Sequence, residues 1–507
     1  MISGTQPAGT AVYDTATVTP VVNGFPAPTG TVTYEFFNTM NGAGPHVDQM
    51  VTLNAGAVPQ SSATAALVVG NYSYIAVYSG DSNHAGSTGP VEPVTITPAT
   101  PAINTSQQPT TAIVGTSIAD QATVSGGYNP GGTVTFNLYD NASGSGTPLF
   151  TDANEPLSGG VATSAGYIPT ATTATGKDYW VATYNGDSNN SIVSSGNGDE
   201  PVTITPATPA INTSQQPATA IVGTSIADQA TVTGGYNPGG TVTFNLYDNA
   251  SGSGTPLFTD ANEPLSGGAA TSAGYTATAS ANDYWVATYN GDGNNNTVAS
   301  GPTDEPVSVT KATPTIKTTQ QPASATVGTA IADMATVSGG YNPTGNVTFA
   351  LYNGSTLLFS DTEALSGGAA TSAGYTATAS ANDYWVATYN GDGNNNTIAS
   401  GPTDEPVSVT KATPGINTTQ QPASATVGAT IADMATVTGG YNPSGNVTFA
   451  LYNGSTLLFS DTEALSGGTA TSAGYTATAS ANDYWVATYN GDGNNNTIAS
   501  GPTDEPV

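Results

Sequence analysis

Large and small side chains alternate through 383–389 (Asp-Tyr-Trp-Val-Ala-Thr-Tyr), with Trp385, Ala387 and Tyr389 on one parity and Tyr384, Val386 and Thr388 on the other. A period of two is the mark of a strand with one buried face, so the first set is expected to point inward. The same words recur at 178–184, 283–289 and 483–489. A looser version at 72–78 keeps Tyr72, Tyr74, Ala76 and Tyr78 in the even places. Five copies of one strand predict five copies of one folding unit.

In the fourth copy the alternation predicts seven strands, at 315–319, 332–337, 346–352, 356–360, 370–377, 383–389 and 405–410. Ala335, Val337, Val347, Phe349 and Leu351 are the expected inward residues. Gly339-Gly340-Tyr341-Asn342-Pro343 and Ser366-Gly367-Gly368 read as turns, because glycine and asparagine accept positive φ and proline stops a strand. No window carries a 3.6-residue apolar period, so helix is not expected. Seven short strands in about a hundred residues, with turn signals every 8–12, predict an antiparallel two-sheet sandwich.

The phrase Pro-Ala-Thr-Pro starts at Pro98 and Pro206, and Lys-Ala-Thr-Pro at Lys311 and Lys411. These fix the expected domains as 1–97, 98–205, 206–310, 311–410 and 411–507. Length differences between copies fall in Gly-, Ser-, Thr- and Pro-rich stretches, where loops absorb them at little cost. The run from Val307 to Pro314 carries one domain's last strand almost directly into the next domain's first, which predicts stiff joints. At ~3.3 Å per strand residue each unit adds on the order of 40 Å, so five would form a rod of about 200 Å. The first domain is the divergent copy and starts past the first strand of the others. The last stops at Val507, within its final strand. This predicts a segment of a longer protein, the alternative being a subunit that completes its sheet with a neighbour's strand.

The strand Trp385–Tyr389 followed by Asn390-Gly391-Asp392, together with Gly345-Asn346-Val347-Thr348-Phe349, resembles bacterial immunoglobulin-like repeats of the group 3 type. All five copies carry a version, with Ser79-Gly80-Asp81 in the first. Asp383 departs from the family, which often has a tyrosine there, as Tyr72 is in the first copy. The resemblance implies tandem immunoglobulin-like sandwiches in secreted or cell-surface proteins, serving as stalks, adhesin arms or matrix fibres.

Composition narrows the function. Only 8% of residues are charged, and 35 acidic residues against four lysines leave a net charge of −31. Such a chain repels phosphate backbones and anionic lipid, which argues against nucleic-acid partners. No apolar run is long enough to span a membrane, and Met1-Ile2-Ser3-Gly4 lacks the basic start and apolar run of a signal peptide. Cysteine is absent, so each unit must hold by packing and sheet hydrogen bonds.

Chemistry is sparse. His46 and His84 both lie in the first copy and are expected in solvent-facing loops, which leaves the other four without imidazole or thiol. The expectation is therefore no enzyme. A Lys–Asn isopeptide bond in every domain is excluded, since the first and third copies have no lysine. Metal binding is the sharpest option: Asp187 and Asn189, Asp292 and Asn294, Asp392 and Asn394, and Asp492 and Asn494 follow the central strand. Asn395 joins them in the fourth copy, and Glu200, Glu305, Glu405 and Glu505 stand on the approach to the last strand. Oxygen-only ligands suit Ca²⁺. Against this, Asn-Gly-Asp forms a tight turn unaided. Trp180, Trp285, Trp385 and Trp485 could form a sugar platform, but their parity assigns them to the core, and Tyr341 is the better exposed aromatic. The reading is an extracellular spacer whose partners are neighbouring domains or copies of itself. The alternatives are a strand-exchanging filament subunit and an adhesin module that binds surface glycan or protein.

Overall fold

The computed structural model describes residues 4–20, 24–502 and 505–507, apart from the side chain of Glu505. The opening residues 1–3 and the expected Glu505 ligand thus lie outside what is described. The chain is all-β, with no helix among the described residues.

The fourth repeat shows how the sequence builds its sheets. Pro314–Gln321 pairs antiparallel with Ala330–Gly339, whose other edge takes Ala369–Thr371 and Tyr375–Thr376. The second sheet runs in the order Ser324–Thr326, Glu405–Thr410, Ala381–Tyr389, Asn346–Asn353, Thr356–Ala364, with Ile398–Ala399 also on the central strand. Its register sets Val347 opposite Tyr389, Phe349 opposite Ala387 and Leu351 opposite Trp385. All six side chains are fully buried, as the parity of the sequence requires.

Some boundaries differ from expectation. The stretch expected as one strand at 370–377 is two short ones, because Ser372–Gly374 leaves the sheet between them. Two strands were not foreseen. Ser324–Thr326 crosses to the second sheet and runs parallel to Glu405–Thr410, and Ile398–Ala399 is a two-residue pairing. Three small residues, or two, are too few to show a period of two.

Buried side chains gather in five separate clusters, one per repeat, among the described residues. In the fourth, Ala335, Val337 and Ala370 from one sheet meet Phe349, Trp385 and Val407 from the other, a two-layer packing. Phe359 stands edge-on to Trp385 at 6.0 Å and tilts against Tyr375 at 5.7 Å. A large ring at the centre with alanines around it lets a core modest in apolar residues pack between the two sheets. In the first repeat Tyr74 takes the register position of the tryptophans, opposite Phe36, with Tyr34 and Tyr72 also buried and Phe36 stacked on Tyr72 at 5.6 Å. Its strand Gly4–Pro7 pairs parallel with Glu92–Thr97, the position that Ser324–Thr326 takes in the fourth.

Candidate functional site at the repeat junctions

In the second to fifth repeats the Gly-Asp-x-Asn-Asn loop after the central strand is densely hydrogen-bonded. In the third repeat Asp292 Oδ1 accepts from the Asn294 N–H at 2.8 Å and from the Asn295 side-chain amide at 2.9 Å. Asp292 Oδ2 accepts from the Gly239 N–H at 2.7 Å and the Tyr289 hydroxyl at 2.9 Å. Burial alone would raise this carboxyl, but the donors from Gly239, Asn295, Asn294 and Tyr289 outweigh it and hold it down at about 2. Burial first, and then the Asp292 bond, push Tyr289 up to about 12. Asp187 is likewise held at about 2, and Asp392 and Asp492 lie below the usual carboxylate range.

This saturated aspartate orients the two asparagines that follow it. Asn295 is 2% exposed. Its carboxamide accepts from the Tyr236 N–H at 2.7 Å and donates to the Tyr236 carbonyl at 2.9 Å, which fixes the turn between Ser225–Gly234 and Thr241–Tyr247. Tyr236 then leaves its own repeat and packs against the core cluster of the second. Its ring lies over Gly115, where an added Cβ would meet Tyr236 Cδ2 at 2.5 Å and where φ is +87°. Both the close approach and the backbone conformation demand glycine at that position.

Asn294 reaches the same way. Its Oδ1 accepts from the Thr172 N–H at 3.0 Å, and the Thr172 hydroxyl donates to the Gly293 carbonyl at 2.6 Å. Between the repeats, Ala207 pairs with Asn295 in a parallel bridge: Ala207 N–H donates to the Asn294 carbonyl and Asn296 N–H to the Ala207 carbonyl, each at 2.8 Å. Ala207 is itself part of the preceding core.

The other junctions repeat this pattern. Tyr128 covers Gly9, Tyr341 covers Gly223 and Tyr441 covers Gly328. Asn189 Oδ1 takes the Val69 N–H, Asn394 Oδ1 the Ser280 N–H and Asn494 Oδ1 the Ser380 N–H. At the last two, the Lys311 and Lys411 ammonium groups donate to the Asp392 and Asp492 carbonyls. These lysines tie the linker to the loop.

The residues considered for calcium are therefore turned to different partners. The aspartate faces its own repeat's turn, and the first asparagine of the loop faces the preceding repeat. Glu305 Oε2 accepts from the Gln215 N–H at 2.8 Å on the opposite sheet, and Glu405 Oε2 from Gln320 in the same way. The four tryptophans are fully buried, and Tyr341 is half-buried at the junction rather than free on a turn.

A second polar feature lies inside the cores. Asp120, Asp228 and Asp333 are fully buried, and both carboxyl oxygens of Asp228 and Asp333 lack a hydrogen-bond partner. Burial first, and then the charge of Glu200 or Glu305, push Asp120 and Asp228 up to about 7; Asp333, beside Glu405, rises to about 6. Asp333 shares the parity of Ala335 and Val337, but none of these aspartates was named as buried from the sequence.

One histidine leaves the expected loop and the other stays in one. His46 opens the strand His46–Thr52. His84 is only 12% exposed, and its Nδ1 lies 2.9 Å from Asp81. His84 occupies the place in the loop that the clamping asparagine holds elsewhere.

No characterised protein family matches the chain, and no curated protein is similar to it. Among solved structures, the native conformation of Escherichia coli alpha-2-macroglobulin, seen by cryo-electron microscopy, aligns with 91% of this chain at 9% identity and a TM-score of 0.17. The alignment spans 34% of that longer protein.

Proposed function

We propose that the chain is an extracellular spacer, a rod of five tandem immunoglobulin-like β-sandwich domains that sets distance at a cell surface or within a fibre. The observation that carries this reading is the junction: one set of contacts, made by the same residue types, occurs four times in succession. A tyrosine covering the preceding core, an asparagine bonded across the boundary and a linker alanine paired with the loop restrict bending at each boundary. A chain built to present separate binding modules gains nothing from such joints, whereas one built for reach depends on them.

The aspartate and asparagine side chains that sequence alone offers as a ligand site are hydrogen-bonded within these joints, and the four tryptophans are buried in the cores. Small-angle X-ray scattering of fragments holding two, three and four repeats tests the reading. The maximum dimension is expected to grow by about 40 Å per added repeat. A dimension that stays nearly constant as repeats are added would overturn it.

A further inference from the structure

The first repeat differs from the others on one exposed sheet face. Glu35 and Asp48 are direct cross-strand partners, and His46 lies two residues from Asp48, so all three side chains share that face. Their ligand atoms all lie within 4.8 Å of one another. The corresponding pairs elsewhere are neutral: Asn137 with Thr151 and Asn245 with Thr259, each hydrogen-bonded at 2.7 Å, then Ala350 with Ser360 and Ala450 with Ser460. Like charges directly opposite one another destabilise a sheet, and the first repeat contains no lysine or arginine to relieve them.

The histidine is oriented for ligation. Its Nδ1 lies 3.3 Å from the Gly44 carbonyl, which can only accept, so the proton belongs on Nδ1. Nε2 lies 3.2 Å from Asp48 Oδ1, the separation expected of two ligands on one ion with bonds of about 2 Å. Phe37 packs on the ring at 4.7 Å and fixes its plane. A carbonyl that holds the second ring nitrogen is the usual support of a metal-bound histidine.

We propose that Glu35, His46 and Asp48 form a surface site for a divalent transition ion of the zinc class. One imidazole nitrogen and two carboxylates supply three ligands, and water completes the coordination on the exposed side. The imidazole selects against calcium and magnesium, which prefer oxygen alone. The cation also neutralises the acid pair that the register forces together.

Isothermal titration of the full chain with zinc chloride near pH 7 tests the site. One saturable event is expected, lost in His46→Ala, weakened at least tenfold in Glu35→Gln, and unchanged in His84→Ala. A tenfold excess of calcium should not displace the zinc. Circular dichroism of each variant separates loss of the site from loss of the fold. Absence of saturable binding at micromolar zinc, retention of the event in a folded His46→Ala, or displacement by calcium would each overturn the assignment.

Discussion

Asn295 grips Tyr236 by both of its backbone groups, accepting from the N–H at 2.7 Å and donating to the carbonyl at 2.9 Å. That one carboxamide converts a glycine-rich turn into a rigid arm, and the arm reaches the neighbouring repeat. Asp292 holds Asn295, Asn295 holds Tyr236, and Tyr236 covers the core next door. The order within a loop thereby becomes order between repeats.

Removing the clamp should loosen both. Asn395→Ala, at the equivalent position, deletes bonds to the Tyr341 backbone and to Asp392 and strands their partners. A loss of about 2–4 kcal/mol is expected. Denaturant unfolding of a fragment spanning the third and fourth repeats checks it, with Asn396→Ala, whose side chain is exposed, as the mild control.

Two glycines isolate the interface from the backbone. Gly328 and Gly428 have nearly the same φ, +94° and +95°. An added Cβ at Gly328 would meet Tyr441 Cδ2 at 2.8 Å, while at Gly428 nothing lies within 4 Å. Both alanine variants carry the positive-φ cost of about 1 kcal/mol. Gly328→Ala should lose a further ~1–3 kcal/mol through the displaced tyrosine. Equal melting temperatures for the two variants would mean that the tyrosine contact has no weight.

The buried acids predict an acid-shifted stability optimum. Asp120 and Asp228 hold a proton up to about pH 7 in the folded chain, against the ordinary carboxylate value of 3.8 when unfolded. Between those values the folded state binds protons that the unfolded state has released, so stability falls as pH rises through that window. The loop aspartates act in the opposite sense: their contribution is present above 3.8 and fades only as pH drops toward 2. Guanidinium unfolding at pH 5 and pH 8 should favour pH 5 by about 2–4 kcal/mol for each such repeat. Asp228→Asn should flatten the dependence in the third.

Chelation should leave the chain unchanged where the loops are concerned. Each carboxylate oxygen of Asp292 and Asp392 already accepts at least two hydrogen bonds. A calcium ion would have to displace those donors before it could bind. Thermal melts of the second-to-fifth repeat fragment in EDTA and in millimolar calcium are expected to coincide within about 1 °C. A calcium-dependent rise would restore the loop as a metal site.

How much of this was legible beforehand depends on how local the determining interaction is. A period of two is written into consecutive residues, so Trp385, Ala387 and Tyr389, together with Val347, Phe349 and Leu351, were recognisable as one buried layer before any coordinates. The repeat phrases likewise gave the number of copies and the places where loops change length. The short parallel strand Ser324–Thr326 was invisible, because three small residues show no period, and its partner lies more than eighty residues away.

The sequence alone also determined that catalysis by histidine or cysteine is absent from four of the five repeats, and that the net charge is strongly negative. Only the tertiary structure decided what the Asn-Gly-Asp loop does. A side-chain amide has the same chemistry whether it ligates an ion, caps a turn or crosses to a neighbour. Which of these it does is set by the groups that folding brings within about 3 Å of it, and for Asn294 those groups lie more than a hundred residues earlier in the chain.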